Sequence, residues 1–252
     1  MAEIISIVNQ KGGVGKTTTA VNLAACLAIA EKKTLLVDID PQSNATSGMG
    51  FDKHNIGECI YEILVDGAEL DGAIRHTSVP NLDMIPSHIK LVGAEIELVN
   101  REQREMALSL VLERIRDKYD FILIDCPPSL GLLTINGLVA ADWLLIPIQC
   151  EYYALEGLGQ LLDTVRLVQE RLNPKLTIGG VLMTMFDSRL NLARQVVEET
   201  RKYFPDKIFN TVINRNVRLS EAPSYGEPII MYDILSTGAK NYIALAEEII
   251  KR

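Results

Sequence analysis

The densest run of reactive side chains lies near the amino terminus, in Asn9-Gln10-Lys11-Gly12-Gly13-Val14-Gly15-Lys16-Thr17-Thr18. Glycines at 12, 13 and 15 let a backbone curl until its N–H groups converge on an anion. A helical pattern over Lys16–Ala30 follows, and its first turn aims positive partial charge at the same point. Lys16 supplies a point charge for outer phosphates, Thr17 a hydroxyl for Mg²⁺, and Thr18 a hydroxyl for an inner phosphate. This is the layout of a phosphate-binding loop. The usual spacing is G-x-x-x-x-G-K-[ST]; here Gln10 stands where the first glycine belongs, and a second lysine, Lys11, precedes Gly12.

Three carboxylates accompany it. Leu35-Leu36-Val37 ends in Asp38-Ile39-Asp40, and the i, i+2 spacing sends both acids to the same side of the strand axis. Phe121-Ile122-Leu123-Ile124 ends in Asp125, which is placed to hold Mg²⁺ through water. Acids that close apolar strands more often face a site than bulk solvent. Cys126 follows Asp125 and reads as packing, since no base adjoins it in sequence.

These groups need a parallel sheet to bring them together. Short apolar runs at Ile4–Val8, Thr34–Val37, Leu82–Ile85, Phe121–Ile124, Trp143–Ile146 and Ile178–Met183 read as buried parallel strands. Helical patterns lie between or after them at Lys16–Ala30, Val92–Lys118, Leu130–Ala140, Leu155–Leu172, Leu192–Tyr203 and Ala239–Lys251. Segment 39–81 is irregular, with one helix expected at Glu58–Val65. The pattern predicts one α/β domain over residues 1–252, a mostly parallel sheet with helices on both faces.

Composition narrows the class further. The 252 residues are 48% hydrophobic and 23% charged, so the chain fills a core. Twenty-five basic against 33 acidic residues leave a net charge of −8, which excludes a globally basic nucleic-acid binder but not a local patch. Cys26, Cys59, Cys126 and Cys150 match no zinc spacing and read as buried thiols in a reducing compartment. No apolar run reaches the ~20 residues of a membrane span, and no export signal is visible, which predicts a cytoplasmic protein.

Lys11-Gly12-Gly13-Val14-Gly15-Lys16-Thr17-Thr18 resembles the deviant Walker A motif of the ParA/MinD superfamily. With Asp38–Gln42 and the following Ser43-Asn44-Ala45-Thr46, Asp125–Ser129, Gln149–Gly157 and Arg215–Pro223, the whole chain resembles ParA/Soj partition ATPases. The resemblance implies a P-loop ATPase fold, ATP and Mg²⁺, and a homodimer that forms on ATP and dissolves on hydrolysis. It implies that Lys11 reaches the partner's ATP, that Gly12 permits close dimer packing, and that Asp40 orients the attacking water. Asp38, Asp125 and Thr17 would surround the metal. Family members contact adenine with an Ile-Pro-Arg-Asn segment, which reads here Ile213-Asn214-Arg215-Asn216, with Asn214 in place of proline. Asn214 and Asn216 are the candidate base contacts.

Between Ser188 and Ser220 stand seven basic residues, Arg189, Arg194, Arg201, Lys202, Lys207, Arg215 and Arg218, against three acids, a local +4. Arg194 and Arg201 are seven apart and share a helix face. Arg189 and Arg218 match positions where Soj-like proteins contact DNA without sequence preference. The resemblance therefore implies double-stranded DNA, a nucleoid association and a ParB-type partner. Two alternatives need other features. A MinD-like membrane ATPase needs a basic amphipathic C-terminal helix, whereas Ala244–Arg252 carries two acids. An electron-transfer ATPase needs cysteines shared between subunits, and the spacing here departs from that.

Overall fold

Alternation along the buried strands divides the core into two layers. The computed structural model describes residues 1–151 and 157–252. Its strands are β1 (Glu3–Ile7), β2 (Thr34–Asp38), β3 (Arg75–His76), β4 (Leu82–Ile85), β5 (Phe121–Asp125), β6 (Trp143–Gln149) and β7 (Thr177–Thr184). Ile4, Leu35, Ile122 and Leu144 enter one apolar cluster, and their neighbours Ile5, Leu36, Leu123 and Leu145 enter the other. The strands form one sheet in the order β3-β4-β2-β5-β1-β6-β7. Every pairing is parallel except β3 with β4 at the edge.

The described helices are α1 (Lys16–Ile29), α2 (Asn44–Gly48), α3 (Leu70–Ala73), α4 (Leu91–Glu97), α5 (Ala107–Glu113), α6 (Leu132–Ala140), α7 (Leu158–Arg171), α8 (Asn191–Tyr203), α9 (Val217–Glu221), α10 (Ile229–Tyr232) and α11 (Thr237–Ile250). Helices α1, α10 and α11 cover one face of the sheet, and α4 to α8 supply the core of the other. Ser236 caps α11, its Oγ accepting from Ala239 N at 3.1 Å. Among the described residues no helix is long and apolar enough to cross a membrane.

Four expectations need correction. The helix expected over Val92–Lys118 is broken into α4, α5 and intervening 3₁₀ turns. Extending the buried stripe Leu91, Ala94, Leu98 would drive Arg101 and Glu105 into the core. The chain turns instead, with Gln103 at φ +57°. The helix expected at Glu58–Val65 is a single π-turn, Glu62–Asp66. Strand β6 runs past Ile146 because Pro147 lies beyond the last residue paired with β1, where its missing N–H interrupts no ladder. The edge strand β3 went unread, being two residues long and without an apolar signal. The first residues expected in the Leu155–Leu172 helix lie outside the described residues; α7 starts after Gly157.

Candidate active site

The ends of three adjacent strands meet beneath the glycine-rich loop. Strand register sets Ile7 beside Asp125, and Asp125 beside Asp38. The loop leaves β1 and enters α1 through Gly13 at φ +74° and Gly15 at φ +91°, both in the left-handed region that favours glycine. Gly12 is not in that region, so the curl rests on two glycines and not on three. A Cβ on Gly12 would meet nothing within 4 Å among the described residues. Helix α1 has no acid in its first turn and no side-chain cap, which leaves its amide donors for an anion.

Lys16 is buried, and its Nζ donates to the Lys11 carbonyl at 3.1 Å across the loop. Burial lowers its pKa, opposed by the charges of Asp125, Cys126 and Asp40. The ammonium is thus partly stripped of water before any ligand arrives, which strengthens its pull on a phosphate. Thr17 and Thr18 are half-buried at the start of α1. Two further side chains pin the loop. Asn9 Nδ2 donates to the Pro147 carbonyl at 2.7 Å, while its Oδ1 accepts from Lys11 N at 3.0 Å. Thr184, at the end of β7, donates from Oγ1 to the Val14 carbonyl at 2.8 Å. Sequence reading missed both. Asn9 adjoins the loop and could have been flagged, but Thr184 is 170 residues away and carries no local signal.

The carboxylates have unlike surroundings. Asp125 is fully buried, and neither oxygen has a hydrogen-bond partner at normal length among the described residues. Burial first, then the neighbouring Asp38 charge, holds its pKa well above the usual carboxylate range; the nearby Thr17 hydroxyl and Lys16 oppose this. Two orphaned oxygens beside a hydroxyl and an ammonium suit a hard divalent cation held largely through water. Asp38 is also fully buried, but its oxygens are engaged. Oδ2 accepts from Thr46 N at 2.9 Å and Thr46 Oγ1 at 2.7 Å, and Oδ1 from Asp40 N at 3.0 Å. Burial pushes Asp38 up to about 7 despite these bonds. Three protein donors thus occupy the Asp38 oxygens, whereas the Asp125 oxygens have none at normal length among the described residues. Asp40 is buried, and its Oδ1 accepts from Gln42 N at 2.9 Å.

The loop opens onto a cavity of about 320 Å³ whose wall includes Gly15, Thr18, Asn214, Asn216, Leu219 and Pro223. Asn214 bonds Asn241 Oδ1 through its N and Nδ2, at 3.0 and 3.1 Å. Asn216 Oδ1 is a buried acceptor with no hydrogen-bond partner among the described residues. All four cysteines are buried, and burial pushes each thiol up to about 12, as packing groups should behave.

The candidate DNA-binding arginines are exposed. A bridge between Phe186 and Asn214 sets the loop of Arg189 beside Arg215 and the start of α9, which carries Arg218. Arg194 ties α8 to that loop through the Ser188 carbonyl at 2.9 Å, and Arg201 lies two turns on. Carboxylates just outside the basic segment reach into it. Arg189 pairs with Asp187 at 2.6 Å, Arg218 with Glu221 at 2.8 Å and Asp233 at 3.5 Å, and Arg215 with Glu151 at 3.3 Å. Widening the segment to Asp187–Glu221 leaves seven basic residues against five acids, which lowers the local charge to +2.

A family model described as "AAA domain" matches residues 2–178. The sporulation initiation inhibitor protein Soj of Bacillus subtilis is 62% identical over 249 residues, covering 99% of this chain and 98% of that protein. The chromosome partitioning protein ParA of Myxococcus xanthus is 56% identical over 252 residues, covering 100% of this chain and 89% of its own. Among solved structures, a cobyrinic acid a,c-diamide synthase from Mycobacterium smegmatis with bound ADP and magnesium superposes with a TM-score of 0.88. It is 35% identical, and the match covers 100% of this chain and 95% of that one.

Proposed function

The chain belongs to the Soj/ParA family of chromosome-partitioning proteins, and from that premise we propose that it is a Mg²⁺-dependent ATPase that dimerises on ATP. In that state it binds double-stranded DNA without sequence preference. It works with a ParB-type partner on the nucleoid, in chromosome or plasmid segregation. The observation that carries the reading is the pairing of a bare helix N-terminus and desolvated Lys16 with the orphaned carboxylate of Asp125. Nucleotide and magnesium on the M. smegmatis protein support the same ligands here.

The residues divide the work. The loop amides of Gly13 to Thr18 and the Lys16 ammonium hold the phosphates, and the buried acceptor Asn216 receives the base's amino group. Bound Mg²⁺, held by Thr17 and Asp125, supplies charge neutralisation at the outer phosphates. Asp40, whose Oδ2 takes no bond among the described residues, orients the attacking water and takes up its proton. Lys11 and Gly12 face a second copy. A Cβ on Gly12 meets nothing within 4 Å among the described residues, and the close approach of a second copy is what would demand glycine here.

Calorimetry with Mg-ATP tests the ligand. Lys16→Ala should lose measurable binding, because Lys16 is the buried lysine whose Nζ lies across the loop against the Lys11 carbonyl; wild-type affinity would falsify the site. Asp40→Ala should bind Mg-ATP normally and accumulate as a dimer in gel filtration. Wild-type turnover in that variant, with DNA and a ParB-type protein present, would remove Asp40 from its role.

A further inference from the structure

Asp40 can orient water only if its own backbone is held still. The turn 40–43 that carries it is strained: Ser43, a non-glycine residue, sits at φ +54°. Within the turn, Ser43 N donates to the Asp40 carbonyl at 2.9 Å. That bond sets the shape of the turn but not its position over the sheet. Position comes from two bonds to residues in or beside the sheet. Asp40 N donates to Asp38 Oδ1 at 3.0 Å, and Ser87 Oγ donates to the Asp40 carbonyl at 2.7 Å. Ser87 lies just past β4, the strand paired with β2, so it ties the turn to the neighbouring strand end.

Ser87 and Asp38 are themselves joined. Ser87 N donates to Thr46 Oγ1 at 2.9 Å, and Thr46 Oγ1 donates onward to Asp38 Oδ2 at 2.7 Å. The Thr46 hydroxyl thus works in one sense only, accepting from the amide and donating to the carboxylate. Ser87, Thr46 and Asp38 are fully buried. The three make a closed ring that grips the Asp40 backbone on both sides of its Cα: Asp38 on its N–H, Ser87 on its C=O, and Thr46 locking the two together.

We infer that Ser87 and Thr46 are positioning residues for ATP hydrolysis, acting through Asp38 to fix the Asp40 carboxylate and leaving nucleotide affinity to the loop and Lys16. This rests on the reading of Asp40 given above. A misplacement of the order of 1 Å at a water-orienting group costs up to about a hundredfold in rate without weakening ground-state binding. Neither residue lines the base cavity.

The test measures kcat and KM for ATP, with saturating DNA and a ParB-type activator, alongside Mg-ATP affinity by calorimetry and thermal unfolding. Ser87→Ala and Thr46→Val should lower kcat by about ten- to a hundredfold, with KM and nucleotide affinity within about twofold of wild type. Thr46→Ser keeps the hydroxyl and should restore kcat to within about threefold of wild type. A ring that only holds the fold predicts a different pattern, in which kcat, affinity and melting temperature fall together and Thr46→Ser rescues none selectively. That pattern overturns the inference, as does unchanged kcat in Ser87→Ala and Thr46→Val. Asp40→Ala run in parallel separates the two failures. If it turns over ATP at the wild-type rate, the reading of Asp40 is wrong. If it is inactive while the Ser87 and Thr46 variants are fully active, only the positioning inference fails.

Discussion

A buried carboxylate without a partner is a cost the ligand-free protein carries at Asp125. Both Asp125 and Asp38 have folded pKa values raised above the unfolded range, the latter to about 7. The native state therefore binds more protons than the unfolded one across this interval, and stability falls as pH rises from about 4 towards 7. Asp187 is shifted the other way, to about 2 by Arg189; its contribution is lost only as pH falls below the unfolded value near 4, outside that window. Thermal unfolding without nucleotide should thus show a lower melting temperature at pH 8 than at pH 5.5. Asp125→Asn should flatten this slope and raise stability at pH 8 by about 1–3 kcal/mol, at roughly 2–4 °C per kcal/mol for a chain of this size. The same variant should lose the Mg²⁺ dependence of nucleotide binding. A melting temperature that rises between pH 5.5 and 8 would contradict the assignment.

At the scale of elements, the loop behind α2 is fastened by a contact that only two glycines permit. Gly226 lies at φ +66°, and a Cβ there would stand 2.6 Å from the Gly50 Cα; Gly50 itself is at φ +84°. Gly226→Ala must part the two backbones as well as bear the left-handed strain. Gly67 offers a matched control, at φ +70° with open space around a Cβ. Gly67→Ala should cost about 1 kcal/mol and Gly226→Ala about 2–4 kcal/mol in denaturant unfolding. Equal losses would show that the contact between the two loops carries no energy. Because α2 contains Thr46, Gly226→Ala should also slow ATP turnover. The elements differ in how plainly the sequence announces them. The buried strands are legible because each is a short run dominated by Ile, Leu and Val, even where Ser6, Asp83 or Gly179 and Gly180 interrupt it. The α4–α5 break is not, because Arg101 and Glu105 become obstacles only once the core side of the helix is known.

At the scale of the molecule, charge and assembly must act together. The chain is acidic overall, and Arg189, Arg215 and Arg218 already hold carboxylate partners. Exposed pairs of this kind contribute about 0–1 kcal/mol, so a DNA phosphate can replace the carboxylate at little cost. Binding should be weak per protomer, steeply salt-dependent and enhanced by dimerisation, which doubles the phosphate contacts. In low salt with ATP, Arg218→Glu should weaken the binding of random duplex. Asp187→Asn, which leaves Arg189 unopposed, should strengthen it several-fold, with dimerisation unchanged in both. Mobility shifts that move in the opposite order would remove these arginines from the interface. Gly12→Val should fold and bind ATP yet remain monomeric in gel filtration, since a Cβ there meets nothing within 4 Å among the described residues and the added bulk faces the second copy.

The sequence alone determined the phosphate loop, the strand-end acids and the layered α/β class. Those signals are local: glycine and lysine spacing, an aspartate closing an apolar run, alternation of short and long patterns. Tertiary structure decided what surrounds each acid. Asp38 and Asp125 close similar strands and read alike in sequence. Asp38 meets Thr46 eight residues later, and Asp125 meets no hydrogen-bond donor at normal length among the described residues. Tertiary structure also set Ser87 against Asp40 across 47 residues, and Thr184 against the phosphate loop across 170. It brought Asp233 to Arg218 and so reduced a patch that looked more basic when read along the chain. A hydrogen bond or ion pair depends on distance in space. Sequence spacing reports that distance only within a turn or a strand end, and beyond that range only the folded sheet brings the partners together.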